Sequence, residues 1–383
     1  MAKVSAEKEF KNLRVVSKIV SDLQKDVPVY SFGKLRQVGL FKDAVLLDSS
    51  KIGSLKLLTI SGAYFKGDSQ QESLTRLQGV AFSSAKELKE FLEQRAEAEK
   101  RSHLVLGKDL ELFSFHDESP AMPFFLPKGY VVWREIRKFL EDIYFFEDYK
   151  VVRTPQVFSK TLWETSGHWS HYRQNMYELE IDGREFALKP MNCPSHCLIF
   201  GERMRSYKEL PLGIADFGNL HRHELSGVVH GLTRVRKLSQ DDSHIFCMHE
   251  QIEHEISNLL KFIDKIYSTF GFKNYAIELS TRPDKFLGEI ETWNSAESAL
   301  KNALKKAGKD FRINEGDGAF YGPKIDLHVK DVLNRSWQLA TIQLDYQMPQ
   351  RFNLSFEGQD GKKHFPVMIH RALIGSFERF IGI

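Results

Sequence analysis

The stretch ADFGNLHRHELSGVVHGLTRVRKLSQDDSHIFC (215–247) constrains this chain more than any other. It reads as two strands joined by a long basic loop. On the first strand Leu220, Arg222 and Glu224 share a face, because successive strand side chains alternate. On the second, Leu238, Gln240, Asp242 and His244 share a face. Phe217, Ile245 and Phe246 signal burial beside them, so one sheet surface collects Arg, Glu, Gln, Asp and His close to a core. Arg234 and Arg236 lie on the loop with Gly227 and Gly231, and glycine lets a loop approach a ligand closely. Charged groups converging on a concave sheet suit an anionic ligand with polar ends. A solvated hairpin with incidental charge fits the same spacing.

Around this stretch the chain reads as two units. In residues 1–102, Val15, Val16, Ile19, Val20 and Leu23 predict an amphipathic helix. Ala44–Leu47 and Leu55–Ile60 predict strands, GAYFKGD (62–68) a turn, and Ala85–Arg101 a charged helix with Leu88, Phe91 and Leu92 on its apolar face. Residues 103–125 read as a linker, with Pro120, Pro123 and Pro127 breaking regular structure. In residues 126–383 helices are expected over Gly129–Tyr149, Glu250–Phe270 and Glu291–Ala307, and a polar aromatic loop at TSGHWSHY (165–172). GAFYGPKIDLHV and RSWQLATIQLDY predict strands, the second with Trp337, Leu339, Thr341, Gln343 and Asp345 on one face. HRALIGSFERFIGI (370–383) predicts an amphipathic helix with Leu373, Phe377, Phe380 and Ile381 inward. The expected fold class is α+β: an antiparallel sheet flanked by helices, preceded by a smaller α+β domain. No Gly-rich phosphate loop is present, which argues against Rossmann or P-loop nucleotide binding.

Composition narrows the function classes only slightly. Charged residues make up 27% and the net charge is +3, too weakly basic to demonstrate nucleic-acid binding. The three cysteines, Cys193, Cys197 and Cys247, are too few for a disulfide framework and fit a reduced compartment. No apolar run approaches membrane-span length, and MAKVSAEKEF has no signal-like core, so a cytoplasmic protein is expected.

FGNLHRHE followed by GLTRVRKLSQDDSHIFC resembles motif 2 of the class II aminoacyl-tRNA synthetases, in the version of the threonyl family. The likeness runs from about Gly62 to the last residue and includes KPMNCPSH, GAFYGPKID and VMIHRALIGSFERFIGI in the family's order. Several long motifs in order are far more specific than one short pattern. The resemblance implies a class II synthetase-type sheet that activates L-threonine with ATP and Mg2+ and transfers it to tRNA(Thr). Helix 129–149, the following strand and Pro155 look like motif 1, which implies a homodimer.

The resemblance also assigns residues. Arg222 bridges the amino-acid carboxylate and the α-phosphate, Glu224 accepts from the adenine amino group, and Arg234 and Arg379 hold the outer phosphates. Gln343 joins the ATP set, and Leu238 forms the adenine platform. Cys193, His244 and His370 match three zinc ligands, with Cys197 and His196 outside the pattern. An ordinary reading of Cys193 and the histidines is packing, and of Arg379 an ion pair with Glu378. Gln240, Asp242 and Tyr321 face threonine, and His168 lies near the terminal ribose of tRNA. Lys237-Leu238 departs from the family's usual Gly-Phe, and His223 and Leu225 from its Asn and Pro.

In the family, residues 1–102 resemble the end of an editing domain. Phe41 and Val45 stand where a Cys and a His would be, and no histidine precedes His103. Apolar residues cannot position a hydrolytic water, so a degenerate remnant without cis editing is expected. The apolar pattern running into Ile383, together with the family's C-terminal anticodon-binding domain, is read as the sign of a truncated catalytic region. Two other classes stay open on the residues: a non-catalytic synthetase-like regulatory or interaction protein, and a prolyl- or seryl-specific synthetase.

Overall fold

The computed structural model describes residues 5, 9, 11, 20–21, 29–32, 35–38, 48–65, 71–332 and 334–383. Of the apolar residues that predict the first helix only Val20 falls among these; the strand expected at Ala44–Leu47, with Phe41 and Val45, lies outside them. The chain forms two compact units, Met1–Ala96 and Glu97–Ile383. Among the described residues no helix is long and apolar enough to cross a membrane.

In the first unit Val29–Phe32 pairs antiparallel with Leu35–Val38, and Ser54–Tyr64 with Ser73–Phe82. The second pair carries the strand through Gly62–Tyr64, where a turn was expected, because Gly62 and Tyr64 remain in register with Thr75 and Ser73. A helix spans Ala85–Lys100, as its spacing predicts.

The second unit begins with regular structure where a linker was expected. Helix α1 (His103–Asp109) is followed by a short hairpin pairing Phe113–Ser114 with Phe124–Phe125. Gly107 makes this possible: a Cβ there would stand 2.3 Å from the Phe113 ring. The prolines bound the segment without unfolding it. Pro127 occupies the first turn of α2 (Pro127–Phe146), where its fixed φ suits a helix start.

Eight strands build the central sheet: β1 (Lys150–Val151), β2 (Leu212–Asp216), β3 (Asp242–Cys247), β4 (Ala276–Ser280), β5 (Arg312–Asn314), β6 (Lys324–Lys330), β7 (Ser336–Asp345) and β8 (Val367–Ala372). Their spatial order is β5-β4-β6-β7-β8-β3-β2-β1, antiparallel except at the two outermost pairs. Alternation assigns the two faces. Ile245 and Cys247 of β3, Ile342 and Leu344 of β7, and Val367 and Ile369 of β8 pack against three helices. These are α2, α4 (Ile252–Thr269) and α5 (Ile290–Lys306), which contribute Leu140, Ile263 and Leu300 among others. The residues between them, including His244, Gln343 and His370, turn to the other face. There the short helix α3 (Cys193–Gly201) packs with Phe200 against Phe246.

The stretch expected as two strands is four. Asn219–His221 and Lys237–Ser239 pair with each other outside the large sheet. The first break falls at Gly218, where a Cβ would meet Asn192 Oδ1 at 2.7 Å. The second falls at Asp241, whose carboxylate accepts from Leu373 N and Ile374 N at 2.8 and 3.2 Å. The segment 370–383 is likewise not one helix. His370–Ala372 completes β8 in the middle of the sheet, and only α6 (Phe377–Gly382) is helical. Between them Gly375 takes a φ of +71°, with the Leu339 carbonyl 2.6 Å from where its Cβ would be. That close approach breaks the apolar periodicity read as continuous.

Candidate active site

Adjacent strands place the first cluster. His244 on β3 and His370 on β8 are direct cross-strand partners, with ring centroids 4.7 Å apart. Cys193, the first residue of α3, completes a buried trio whose ligand atoms all lie within 4.8 Å of one another. Each imidazole has one nitrogen engaged from behind. His370 Nε2 lies 2.9 Å from Asp345 Oδ2, and His244 Nδ1 lies 2.7 Å from His196 Nδ1. That leaves one nitrogen of each ring facing the thiol, the arrangement by which outer partners orient metal-binding histidines. Donors around a tetrahedral zinc stand roughly 3.3–3.8 Å apart, given bonds of about 2.0–2.3 Å, so small side-chain shifts close this set on an ion. Burial pushes the Cys193 thiol well above its usual range. Burial also holds His244 well below its own, with His370 and His196 adding to the effect. Such a set is stable when neutral or when a bound cation compensates a thiolate. Cys197 instead points its sulfur at Met368 Sδ, 3.8 Å away.

The trio forms one end of a cleft of about 360 Å³, a volume ordinary for a small-molecule site. The other end is basic. Arg222 follows the strand Asn219–His221 and donates from Nε to Pro190 O at 3.2 Å. Arg379 on α6 donates from Nε to Thr233 O and from Nη1 to Gln338 O, both at 2.8 Å. Burial, then the neighbouring Arg222 and Arg234, pull its guanidinium down to about 10. Three guanidiniums converging in a partly buried cleft favour an anion of several charges. Arg234 pairs with Glu224 at 2.9 Å. Glu378 is not the partner of Arg379: its carboxylate accepts from Ser239 N at 2.8 Å and stands 3.6 Å from Lys237 Nζ. The ordinary ion-pair reading of Arg379 is therefore set aside.

Between the two ends lie the uncharged and acidic groups. Tyr321 stacks on His370 with centroids 4.8 Å apart and donates to Gln343 Oε1 at 2.6 Å. Asp242 accepts from Asn192 Nδ2 at 3.0 Å, and burial raises its carboxyl to about 6. Leu238 packs with Leu220 and Val235 and presents an aliphatic surface to the cleft, beside Gln240.

Every expected site residue lines this cleft except His168. Its segment is not a loop: Lys160–Ser166 and His168–His171 are helical, hinged at Gly167 with φ +85°. His168 is fully buried, with Nδ1 2.8 Å from Ser166 Oγ and Nε2 3.2 Å from Met191 Sδ, and burial holds it at about 3. Its Nε2 also lies 3.9 Å from Cys193 Sγ, so it backs two residues that line the cleft, Met191 and Cys193. Asn192 and Thr233 escaped the sequence reading although both touch site residues, while His196 entered it only as lying outside the zinc pattern and Asp345 only as part of a strand face. Asn192 and His196 stand in the same KPMNCPSH string as Cys193. An amide or imidazole there carries no signal until the sheet brings its partner across.

Residues 177–383 match the model of the class II tRNA synthetase core domain shared by the G, H, P, S and T enzymes. The chain is 49% identical over 362 residues to a threonine–tRNA ligase of Finegoldia magna, covering 94% of this chain and 57% of the relative. A threonine–tRNA ligase of Clostridium tetani is 50% identical over 366 residues, with the same coverages. The chain thus spans a little over half the length of these relatives. Among solved structures, a threonyl-tRNA synthetase RNA-binding domain from Cryptosporidium parvum superposes with a TM-score of 0.72 at 46% identity, over 74% of this chain and 71% of that one. A prolyl-tRNA synthetase from Giardia lamblia, 18% identical, shares the fold with a TM-score of 0.56 over 76% of this chain and 51% of that one. Matches of this extent in sequence and in three dimensions place the chain in the threonyl-tRNA synthetase family of class II aminoacyl-tRNA synthetases.

Proposed function

We propose that this chain carries the catalytic centre of a threonine–tRNA ligase: it activates L-threonine with ATP and transfers it to tRNA(Thr). The observation that carries the reading is the single cleft with three arginines at one end and a buried Cys/His/His trio at the other. Adenylate formation is an in-line attack of a carboxylate on the α-phosphate, and it needs alignment and positive charge more than covalent help. Arg222, one of the three arginines of the basic end, carries a planar fork that can hold the carboxylate and the α-phosphate together. Arg379 and Arg234 take the outer phosphates, whose charge Mg2+ shares. Glu224 and Leu238 receive the adenine, and Gln343, held by Tyr321 and cross-strand from His370, is assigned to the ATP set.

Cys193, His244 and His370 would hold zinc, which when bound supplies an open coordination position for the amino and hydroxyl groups of threonine. Asp242, held by Asn192, accepts from that hydroxyl. Gln240 and Tyr321 address the carboxylate and amino ends. Valine brings no hydroxyl and leaves Asp242 without that second partner, which a polar site rejects strongly. For acyl transfer His168 is the assigned group near the tRNA ribose, and it lies behind the cleft wall against Met191 and Cys193.

Residues 1–102 are assigned as an editing-domain remnant, on the absence of histidine and cysteine there. A homodimer through α2 and β1 is supported by Phe145, Phe146 and Val151, exposed by 79%, 82% and 47% at the sheet's edge. ATP–pyrophosphate exchange tests the whole reading. Exchange that depends on threonine and ignores proline and unrelated amino acids is expected; none with threonine would overturn it in favour of a binding protein.

A further inference from the structure

His103 was expected in a linker, yet it is wedged against the loop that carries the cleft's arginines. The loop ends in a tight turn, His230–Arg234. Inside it Thr233 N and Arg234 N both donate to His230 O, at 3.0 and 3.2 Å, and His230 N donates to Arg234 O at 3.0 Å. The Leu232 amide, on a fully buried residue, points out of this network and donates to His103 Nε2 at 3.2 Å. The ring also hydrogen-bonds the backbone of Gly382 at the end of α6. The fit is close: Gly231 has φ +46°, and a Cβ there would stand 2.2 Å from His103 Nε2.

The turn and α6 both deliver phosphate-side groups. Thr233 O accepts Arg379 Nε, and Arg234 is the next residue. Arg379 itself lies on α6, three residues before Gly382. An imidazole that accepts at one nitrogen and donates at the other bridges the two elements only when neutral. Its surroundings keep it so. Burial holds it at about 4, with His230, at a ring-centroid distance of 6.2 Å, and Arg335 opposing its charge and Asp331 favouring it.

We propose that His103 is a positioning residue for Arg234 and Arg379, clamping the Leu232 amide and the Gly382 backbone so that the two guanidiniums keep their spacing across the cleft. The inference rests on the reading of those arginines as ATP-phosphate ligands. Nothing in the clamp touches the threonine end, so its effect separates by substrate.

The test is threonine-dependent ATP–pyrophosphate exchange with the full chain, its H103L variant, which fills the space without either bond, and H103Q, whose amide oxygen can still accept from Leu232. KM is taken separately for ATP and threonine, with a thermal melt of each protein. H103L should weaken use of ATP on the order of 10-fold, the worth of a buried hydrogen bond or two, while threonine KM stays within about twofold. H103Q should recover part of the loss. Unchanged ATP kinetics in H103L, or equal losses for both substrates, would show His103 to be packing only. Should H103L fail to fold, wild type against H103Q decides: a raised ATP KM with threonine KM unmoved supports the clamp, and any other pattern overturns it. Wild-type protein without exchange would mean that the ligase reading, not the clamp, was at fault at the first step, and the clamp would fall with it.

Discussion

Asp345 Oδ2 stands 2.9 Å from His370 Nε2, both residues buried, and so decides which nitrogen of His370 faces Cys193. The carboxylate holds the ring by the edge turned away from the trio, as carboxylate partners of metal-binding histidines do. One zinc per chain is expected by elemental analysis. Cys193→Ser should lose it, and Cys197→Ser, whose sulfur faces Met368, should keep it. Asp345→Asn should weaken binding about 10- to 100-fold. Stoichiometric zinc in Cys193→Ser would remove the site.

Arg222 should be indispensable for activation. Arg222→Ala is expected to lower threonine-dependent exchange on the order of 100-fold or more, as loss of a transition-state contact does, with fold and zinc content unchanged. Arg222→Lys should be nearly as poor, because a point charge does not span two oxyanions as a fork does. A folded Arg222→Ala protein with normal exchange would refute the role.

Asn192 should act on selectivity through Asp242. Its amide donates to the Asp242 carboxylate, the group proposed for the threonine hydroxyl, and hydrogen bonds to charged groups are worth about 1.5–3 kcal/mol. Asn192→Ala should therefore lower kcat/KM for threonine by roughly 10- to 100-fold and leave valine less affected, so discrimination narrows. An equal loss for both amino acids would mean that Asn192 only supports the fold. Serine, which keeps the hydroxyl and lacks one methyl, should be rejected only weakly. Incubation of Ser-tRNA(Thr) with the chain should show no rapid hydrolysis; hydrolysis that survives Arg222→Ala would show an editing site in the first unit.

His103 also gives a pH dependence. Its folded pKa, about 4, is below the ordinary 6.5, so between these values the unfolded chain binds the extra proton. The stability it contributes is present above about pH 6.5 and is lost as pH falls toward 4. Thermal melts from pH 7.5 to 4.5 should show the melting temperature of wild type falling more steeply than that of H103Q. Parallel curves would rule the contribution out.

How far these features could be read in advance depends on their range. Ile136, Leu140 and Ile143 recur at helical spacing, as do Ile256, Leu259 and Ile263, and the helices at 127–146, 252–269 and 290–306 stand within a few residues of their expected bounds. The strand at 336–345 was equally plain in alternation, and the one expected over 318–329 is found from 324 to 330. What failed was set by contacts between distant segments. Asp241 breaks a strand because it binds Leu373 and Ile374, and Gly375 breaks an apolar pattern because it lies on Leu339. Family motifs named Cys193, His244 and His370, which spacing alone could not join. They did not reveal Asn192 or His103, whose partners lie 50 and 129 residues away.

The order of the strands has a consequence for how the molecule is made. β8, at 367–372, lies between β7 and β3 and joins the two halves of the sheet. Until it inserts, β3 and β7 both present open, largely apolar edges, and such edges recruit other chains. During synthesis the β3 border therefore stays open while residues 248–366 are made and the β7 border while 346–366 are made, and one strand then seals both at once. Residues far from the cleft that speed this insertion would raise the yield of active protein without altering a single catalytic contact.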